Sequence, residues 1–234
     1  MTISLPERLG LAGRELVSIV GAGGKSTILF ALGRDLAAVG ARVILTTTTR
    51  VGADQPGEPI CWSTDPTVVA DAFTPGLPVF VAVDRGPGKI IGPSPEAVDR
   101  LFSDAGAEYV VVEADGAGGM AIKAPADHEP VIPSASTTVI VVASVAAIGH
   151  PISEVAHRPE RVAGLIGARP DDLLTLEGAA CVLLDPAGGL KGIPKRARVV
   201  MVTTRATSSE AGLAADLTAI LASHPRVDRA ITLP

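Results

Sequence analysis

The segment Gly21-Ala22-Gly23-Gly24-Lys25-Ser26-Thr27 gathers the residue types needed to hold a phosphate chain. Glycines let backbone N–H groups close on phosphate oxygens, and a helix opening directly after them favours negative charge. Lys25 is spaced to reach the β- and γ-phosphates, and the Ser26 hydroxyl to ligate Mg²⁺. The loop is a short GxxGK[ST] form, because Ile19 stands where a GxxxxGK[ST] loop has its first glycine. A Gly-rich turn with a solvated lysine would use the same residues. The apolar run before the loop and the helical pattern after it favour the phosphate reading.

Acids follow at a second strand end, in Val110-Val111-Val112-Glu113-Ala114-Asp115. Strand side chains alternate, so Glu113 and Asp115 are expected on one side, able to hold Mg²⁺ or to orient a nucleophile. Ordinary solvated acids at a strand end are the plainer alternative. Thr46-Thr47-Thr48-Thr49 closes another strand, and hydroxyls at such ends line the ligand crevice of an open α/β sheet. Thr47 and Thr48 are therefore candidate phosphate or Mg²⁺ contacts, although Thr also suits strands without any ligand. The stretch Ile122 to Pro130 concentrates charged residues. Ile132 occupies the second histidine position of an HExxH motif, so a zincin is excluded. Lys123, Asp127 and His128 become candidates for binding a substrate anion and moving a proton, against the alternative of a solvated charged loop.

These residues need a rigid frame, and the hydrophobic pattern supplies one. Apolar runs at Leu16–Val20, Val43–Leu45, Val79–Val83, Tyr109–Val112, Val139–Val142 and Val199–Val202 lack alternation, as in strands covered on both faces. Helical spacing is expected over Ser26–Val39, Pro95–Asp104 and Ser208–Ser223. The alternation predicts an α/β, P-loop NTPase-like fold, a mostly parallel sheet with helices on both faces. Pro159–Gly167 and Thr175–Leu184 read as helices of an insertion over about residues 150–193 within a single nucleotide-binding domain, 1–234. The stretch 115–137 is long, rich in Gly and Pro and without period, as functional loops are.

Composition narrows the partners. The chain has 234 residues, 47% of them hydrophobic but with four Phe, one Trp and one Tyr, so aliphatic side chains must fill the core. Its net charge of −5 and lack of a basic stripe argue against nucleic-acid binding. Two distant cysteines form no CxxC and fit a reducing compartment. The longest apolar stretch, Val139–Gly149, is too short to cross a membrane. Glu7 and Arg8 stand where an export signal would be apolar, so a cytoplasmic location is expected.

The loop form is similar to that of the Mur ligases. Taken in order, GAGGKST, the TTTT strand end, EADG, KAPADHEP and AHRPE resemble the YqeC-type proteins, described as selenium-dependent molybdenum hydroxylase accessory proteins, over roughly residues 16–205. The resemblance implies a P-loop nucleotide-binding fold and a role in maturing the cofactor of molybdenum hydroxylases, with the hydroxylase or its cofactor as partner. Arg158, in the AHRPE stretch, is a candidate phosphate contact because such folds often place one arginine near the phosphates.

Two stretches depart from the family pattern. Gly118-Gly119-Met120 replaces the arginine expected soon after EADG, and Thr204-Arg205-Ala206-Thr207 lacks the Asn and Asp of an NKxD-like segment. ATP is thus expected over GTP. The composite expectation is a Mg²⁺-dependent nucleotide hydrolase or phosphoryl or nucleotidyl transferase. A nucleotide-gated binding protein with little turnover, and a Mur-ligase-like ligase or kinase, are the alternatives.

Overall fold

The computed structural model describes residues 3–53, 56–57, 59–204 and 207–234. From the N-terminus run α1 (Leu5–Leu9), β1 (Glu15–Gly21), α2 (Lys25–Ala38) and β2 (Val43–Thr47). Then come β3 (Arg50–Gly52), β4 (Ile60–Cys61), α3 (Pro66–Asp71), β5 (Val79–Val81), β6 (Asp84–Gly86), β7 (Lys89–Ile91), α4 (Pro95–Asp104) and β8 (Tyr109–Glu113). The second half holds β9 (Ile122–Lys123), β10 (Thr138–Ser144), a 3₁₀ turn, α5 (Ile152–Val155), β11 (Ala156–His157), α6 (Pro159–Ile166) and α7 (Leu176–Leu184). It ends with β12 (Arg198–Thr204), α8 (Ala211–Ala222) and β13 (Arg229–Thr232).

Eight strands form one sheet in the order β13-β12-β10-β1-β8-β2-β5-β4. The pairings β1–β8, β8–β2, β2–β5, β5–β4 and β12–β13 are all parallel. The fold is therefore the expected α/β class with a mostly parallel sheet. β1, β2, β5 and β10 are buried along their whole length, as runs without polar alternation require.

Residue contacts divide the chain into two compact units. The first comprises Met1–Ile19, Ser26–Gly116 and Val131–Thr138. Its core packs Leu16, Ile44, Val79, Val98, Leu101 and Val110, each at most 2% exposed. Ser94 caps α4 by accepting from the Ala97 N–H, with Pro95 in the first turn, so the helix starts where its sequence signals place it. The unit also carries a three-stranded antiparallel sheet, β3-β7-β6. Those strands have three residues each, too short for periodicity to reveal.

The second unit comprises Val20–Lys25, Ala117–Pro130 and Val139–Pro234. Ile122, Ile152, Val162, Leu174 and Val182 form the cluster around which α5, α6 and α7 assemble. Thr175 caps α7, and Gly167 closes α6 in the left-handed region, φ 66°. The long stretch after β8 forms no helix; within it the two residues of β9 pair in parallel with β11.

Candidate functional site

The glycine loop is held in shape by backbone that only glycine allows. Gly21 has φ 96°, and a Cβ there would lie 2.2 Å from the Val142 carbonyl oxygen. Gly23 has φ 78°, and its Cβ would meet Ser144 Cβ and N at 2.8 Å. Side chains are excluded at both positions by conformation and by contact. Between them, the Ala22 N–H donates to the Val142 carbonyl at 2.8 Å, and the Thr204 hydroxyl donates to the Gly23 carbonyl. The loop is thus clamped between the ends of β10 and β12 before the chain turns into α2.

Lys25 opens α2 and is 5% exposed. Its ammonium folds back onto the loop and donates to the Gly21 carbonyl at 2.8 Å. An ammonium held against its own loop in this way is positioned where an anion in the loop would compete for it.

Ser26, the next residue, belongs to the first unit, and its Oγ donates to Glu113 Oε2 at 2.8 Å. Sheet register explains the meeting. Glu113 ends β8 opposite Ile19 of β1 on one side and Thr47 of β2 on the other. Glu113 is 7% exposed and Asp115 2% exposed, so neither is a solvated strand-end acid. Among the described residues no group of three or more His, Cys, Asp or Glu side chains could hold a metal ion. Hydroxyl and carboxylate oxygens are nonetheless the donors that a hard cation such as Mg²⁺ takes, along with water and phosphate oxygens. The Ser26–Glu113 pair fits that chemistry.

The threonines at the end of β2 are engaged with backbone. Thr46 donates to the Val81 carbonyl at 2.7 Å, Thr47 to the Glu113 carbonyl at 2.8 Å and Thr48 to the Val131 carbonyl at 2.7 Å. Thr47 Oγ1 also lies 3.0 Å from Thr49 Oγ1. These bonds lock the strand end beside Glu113, and Thr47 Oγ1 also accepts from the Thr49 N–H at 3.0 Å.

The charged stretch after β9 separates into two groups. Asp127 and His128 are exposed, and Asp127 pairs with Arg161 at 2.9 Å, its side chain 91% exposed. The structure does not gather these two into a catalytic cluster. Lys123 and Arg158 are brought together by a residue the sequence reading did not single out. Glu129 accepts from Lys123 Nζ at 2.9 Å and from both terminal nitrogens of Arg158 at 2.7 and 3.2 Å. Burial alone would raise the Glu129 pKa, but the hydrogen bonds from Lys123 and Arg158 outweigh it and bring it down to about 2. Glutamate in the KAPADHEP stretch was visible; its link to an arginine 29 positions away was not.

A parallel sheet whose β1 runs through a positive-φ glycine loop into α2, with an acid-ended strand beside it, defines an α/β protein and is consistent with P-loop NTPase-like architecture. The family model for the YqeC protein matches residues 17–160, more than half of the chain. The chain is 35% identical over 202 residues to the Escherichia coli (strain K12) protein described as "Uncharacterized protein YqeC", covering 85% of this chain and 79% of that protein. The chain belongs to the YqeC family. The motifs through the first arginine of the 158–161 stretch lie inside the matched segment, and the stretch at 204–207 lies beyond it. Arg205 and Ala206 of that stretch are outside the described residues. No helix among the described residues is long and apolar enough to cross a membrane.

Proposed function

We propose that this protein binds a Mg²⁺–nucleotide, ATP in preference to GTP, and uses it in maturing the cofactor of a molybdenum hydroxylase. The nucleotide reading is carried by one observation: the hydroxyl that follows the loop lysine is hydrogen-bonded to the carboxylate ending the neighbouring strand. A serine hydroxyl next in sequence after a glycine loop and its lysine, bonded to a strand-end carboxylate, supplies the protein ligands usual for Mg²⁺ on a phosphate. The maturation role follows from the family resemblance.

Each residue then has a task. Backbone N–H groups of Gly23 to Lys25 cradle phosphate oxygens, and Lys25 exchanges the Gly21 carbonyl for them. Ser26 and Glu113 would hold Mg²⁺, with the buried Asp115 two residues after Glu113. A Mg²⁺ held by these residues would supply charge neutralisation to the phosphates. Glu113 or Asp115 orients the attacking nucleophile, and α2 directs its positive end at the same oxygens. Thr47 keeps the end of β2 fixed against β8 and Thr48 ties it to Val131, so Glu113 does not drift.

Calorimetric titration with ATP, with and without Mg²⁺, tests the reading on the purified chain. Binding that strengthens with Mg²⁺ is expected. In Lys25→Ala the loss of a charged contact of about 1.5–3 kcal/mol should weaken it by roughly ten- to hundredfold. Equal affinities for the two proteins would remove the loop from the site.

A further inference from the structure

Four cationic side chains converge on the turn 125–129. Lys123 and Arg158 share the Glu129 carboxylate. Arg161 donates to the Pro125 carbonyl at 3.3 Å and to Asp127 at 2.9 Å, and Lys191 donates to the carbonyls of Ala126 at 2.6 Å and Asp127 at 3.3 Å. Among these bonded side chains four cations face two carboxylates, in a chain whose net charge is −5. Cationic side chains gathered at one turn draw anions toward it.

The backbone builds this cluster at a cost. β9 and β11 pair with His157 opposite Lys123, which sets Arg158 one residue past the strand end. Arg158 takes φ 65° and ψ 65° and is the one non-glycine residue of positive φ among the described residues. Such a conformation persists where surroundings over-determine it, and it is common at ligand clamps. Arg158 is also the N-cap of α6, yet its side chain makes no capping bond. Its fork points to Glu129 instead.

What is left over faces a ligand's needs. Glu129 takes two of the five guanidinium N–H donors of Arg158, whose side chain is 27% exposed against 2% for Lys123. A buried ammonium lies behind an accessible fork, with one ionised carboxylate spacing them. Ala121, two residues before Lys123, accepts from the Ser144 N–H at 2.9 Å and lies 3.0 Å from where a Gly23 Cβ would be. The strand carrying Lys123 therefore starts against the glycine loop.

We propose that Lys123, Glu129 and Arg158 form a second anion site, distinct from the glycine loop, that takes an oxyanion group of the second substrate, a carboxylate or a phosphate. The identity of that ligand as a co-substrate rests on the nucleotide reading above; the anion site itself does not. Glu129 is its positioning residue, since it touches both cations and holds the fork in one plane. Arg158 supplies the bidentate contact that a planar carboxylate or a phosphate face prefers.

The test uses the full chain carrying Lys25→Ala, so that the glycine loop is disabled as a competing anion site. Inorganic phosphate is titrated by ³¹P NMR line broadening and acetate by ¹H line broadening, which separates the two sources of the oxyanion. Saturable binding of at least one probe is expected. Adding Arg158→Gln should weaken it by about tenfold or more, and adding Arg158→Lys, which keeps the charge and the Glu129 pair, by roughly threefold. Undiminished binding in both double variants, or saturable binding of neither probe, overturns the proposal. ATP titration of the otherwise unmodified chain runs in parallel. A chain that ignores ATP but loses phosphate with Arg158→Gln keeps the anion site and rejects the nucleotide reading.

Discussion

Ser26 and Glu113, 87 positions apart in sequence, are joined by a 2.8 Å hydrogen bond from hydroxyl to carboxylate. If this pair holds Mg²⁺, the two side chains act as a unit and their removal is not additive. Ser26→Ala and Glu113→Gln should each abolish the strengthening of ATP binding by Mg²⁺, and the double variant should lose little more. The expected coupling is about 0.5–3 kcal/mol in a double-mutant cycle on ATP affinity with Mg²⁺ present. Asp115→Asn should slow Mg²⁺-dependent turnover more than it weakens binding, because an amide keeps size but loses the charge a hard cation prefers. Strictly additive losses would mean that the bond only braces α2 against β8.

Loop geometry gives a prediction independent of any ligand. Gly13 and Gly23 have nearly the same φ, 74° and 78°, but a Cβ meets nothing within 4 Å at Gly13 and three atoms at 3.0 Å or less at Gly23. Alanine at Gly13 carries only the left-handed backbone penalty, about 1–2 kcal/mol. Alanine at Gly23 adds displacement of Ser144 and should cost about 1–3 kcal/mol more, as overpacking does. Urea denaturation of the two variants compares them directly. Matching midpoints would show that the loop can shift freely.

Much of this frame is legible in sequence. Val17–Val20, apolar apart from Ser18, and Val110–Val112 lack alternation, and they became adjacent buried strands because a parallel sheet covered on both faces leaves no solvent side. Pro95 and Ser94 fixed the start of α4 through chemistry local to one turn. The short strands β3, β6 and β7 carry too few residues to show a period, and their pairing is a tertiary fact. The site divides in the same way. Lys25 and Ser26 follow from local spacing. Glu129 gains its role from Arg158, and no local pattern encodes a contact across 29 positions.

Glu129 also predicts a pH dependence. Its carboxyl ionises at about 2 in the folded protein against 4.5 ordinarily. A depressed folded value stabilises above the unfolded pKa, so its contribution is complete above about pH 5 and fades as pH falls toward 2. The shift corresponds to on the order of 3 kcal/mol at neutral pH. Glu129→Gln should therefore be less stable than the parent at pH 7, and the difference should narrow by about half at pH 3. Urea midpoints at the two pH values read this out. A difference that stays constant between them would show that the ion pairs add nothing beyond packing.

Base preference rests on the segment after β12. Proteins that select guanine through an NKxD-type segment use a carboxylate to accept from the base N1–H and 2-amino group. At the corresponding place stands Thr207, whose hydroxyl and backbone N–H both bond Glu210 Oε2 at 2.9 Å. That carboxylate is thereby engaged, and its pKa is lowered first by the Thr207 backbone contact and then by the hydroxyl. Asp228 is no substitute, because it accepts from the Val199 N–H at 2.8 Å and lies 3.8 Å from an Arg226 nitrogen, at the opening of β12. A hydrogen bond to a charged acceptor contributes about 1.5–3 kcal/mol against roughly 1 for a neutral one. Without it, guanine loses on the order of tenfold in preference. Competitive titration of ATP against GTP should show no GTP advantage, and Thr207→Asp should raise relative GTP affinity only if the base lies against this segment. A GTP preference above about tenfold in the unmodified chain would mean that another acidic group reads guanine, and that ATP is not the nucleotide this loop serves.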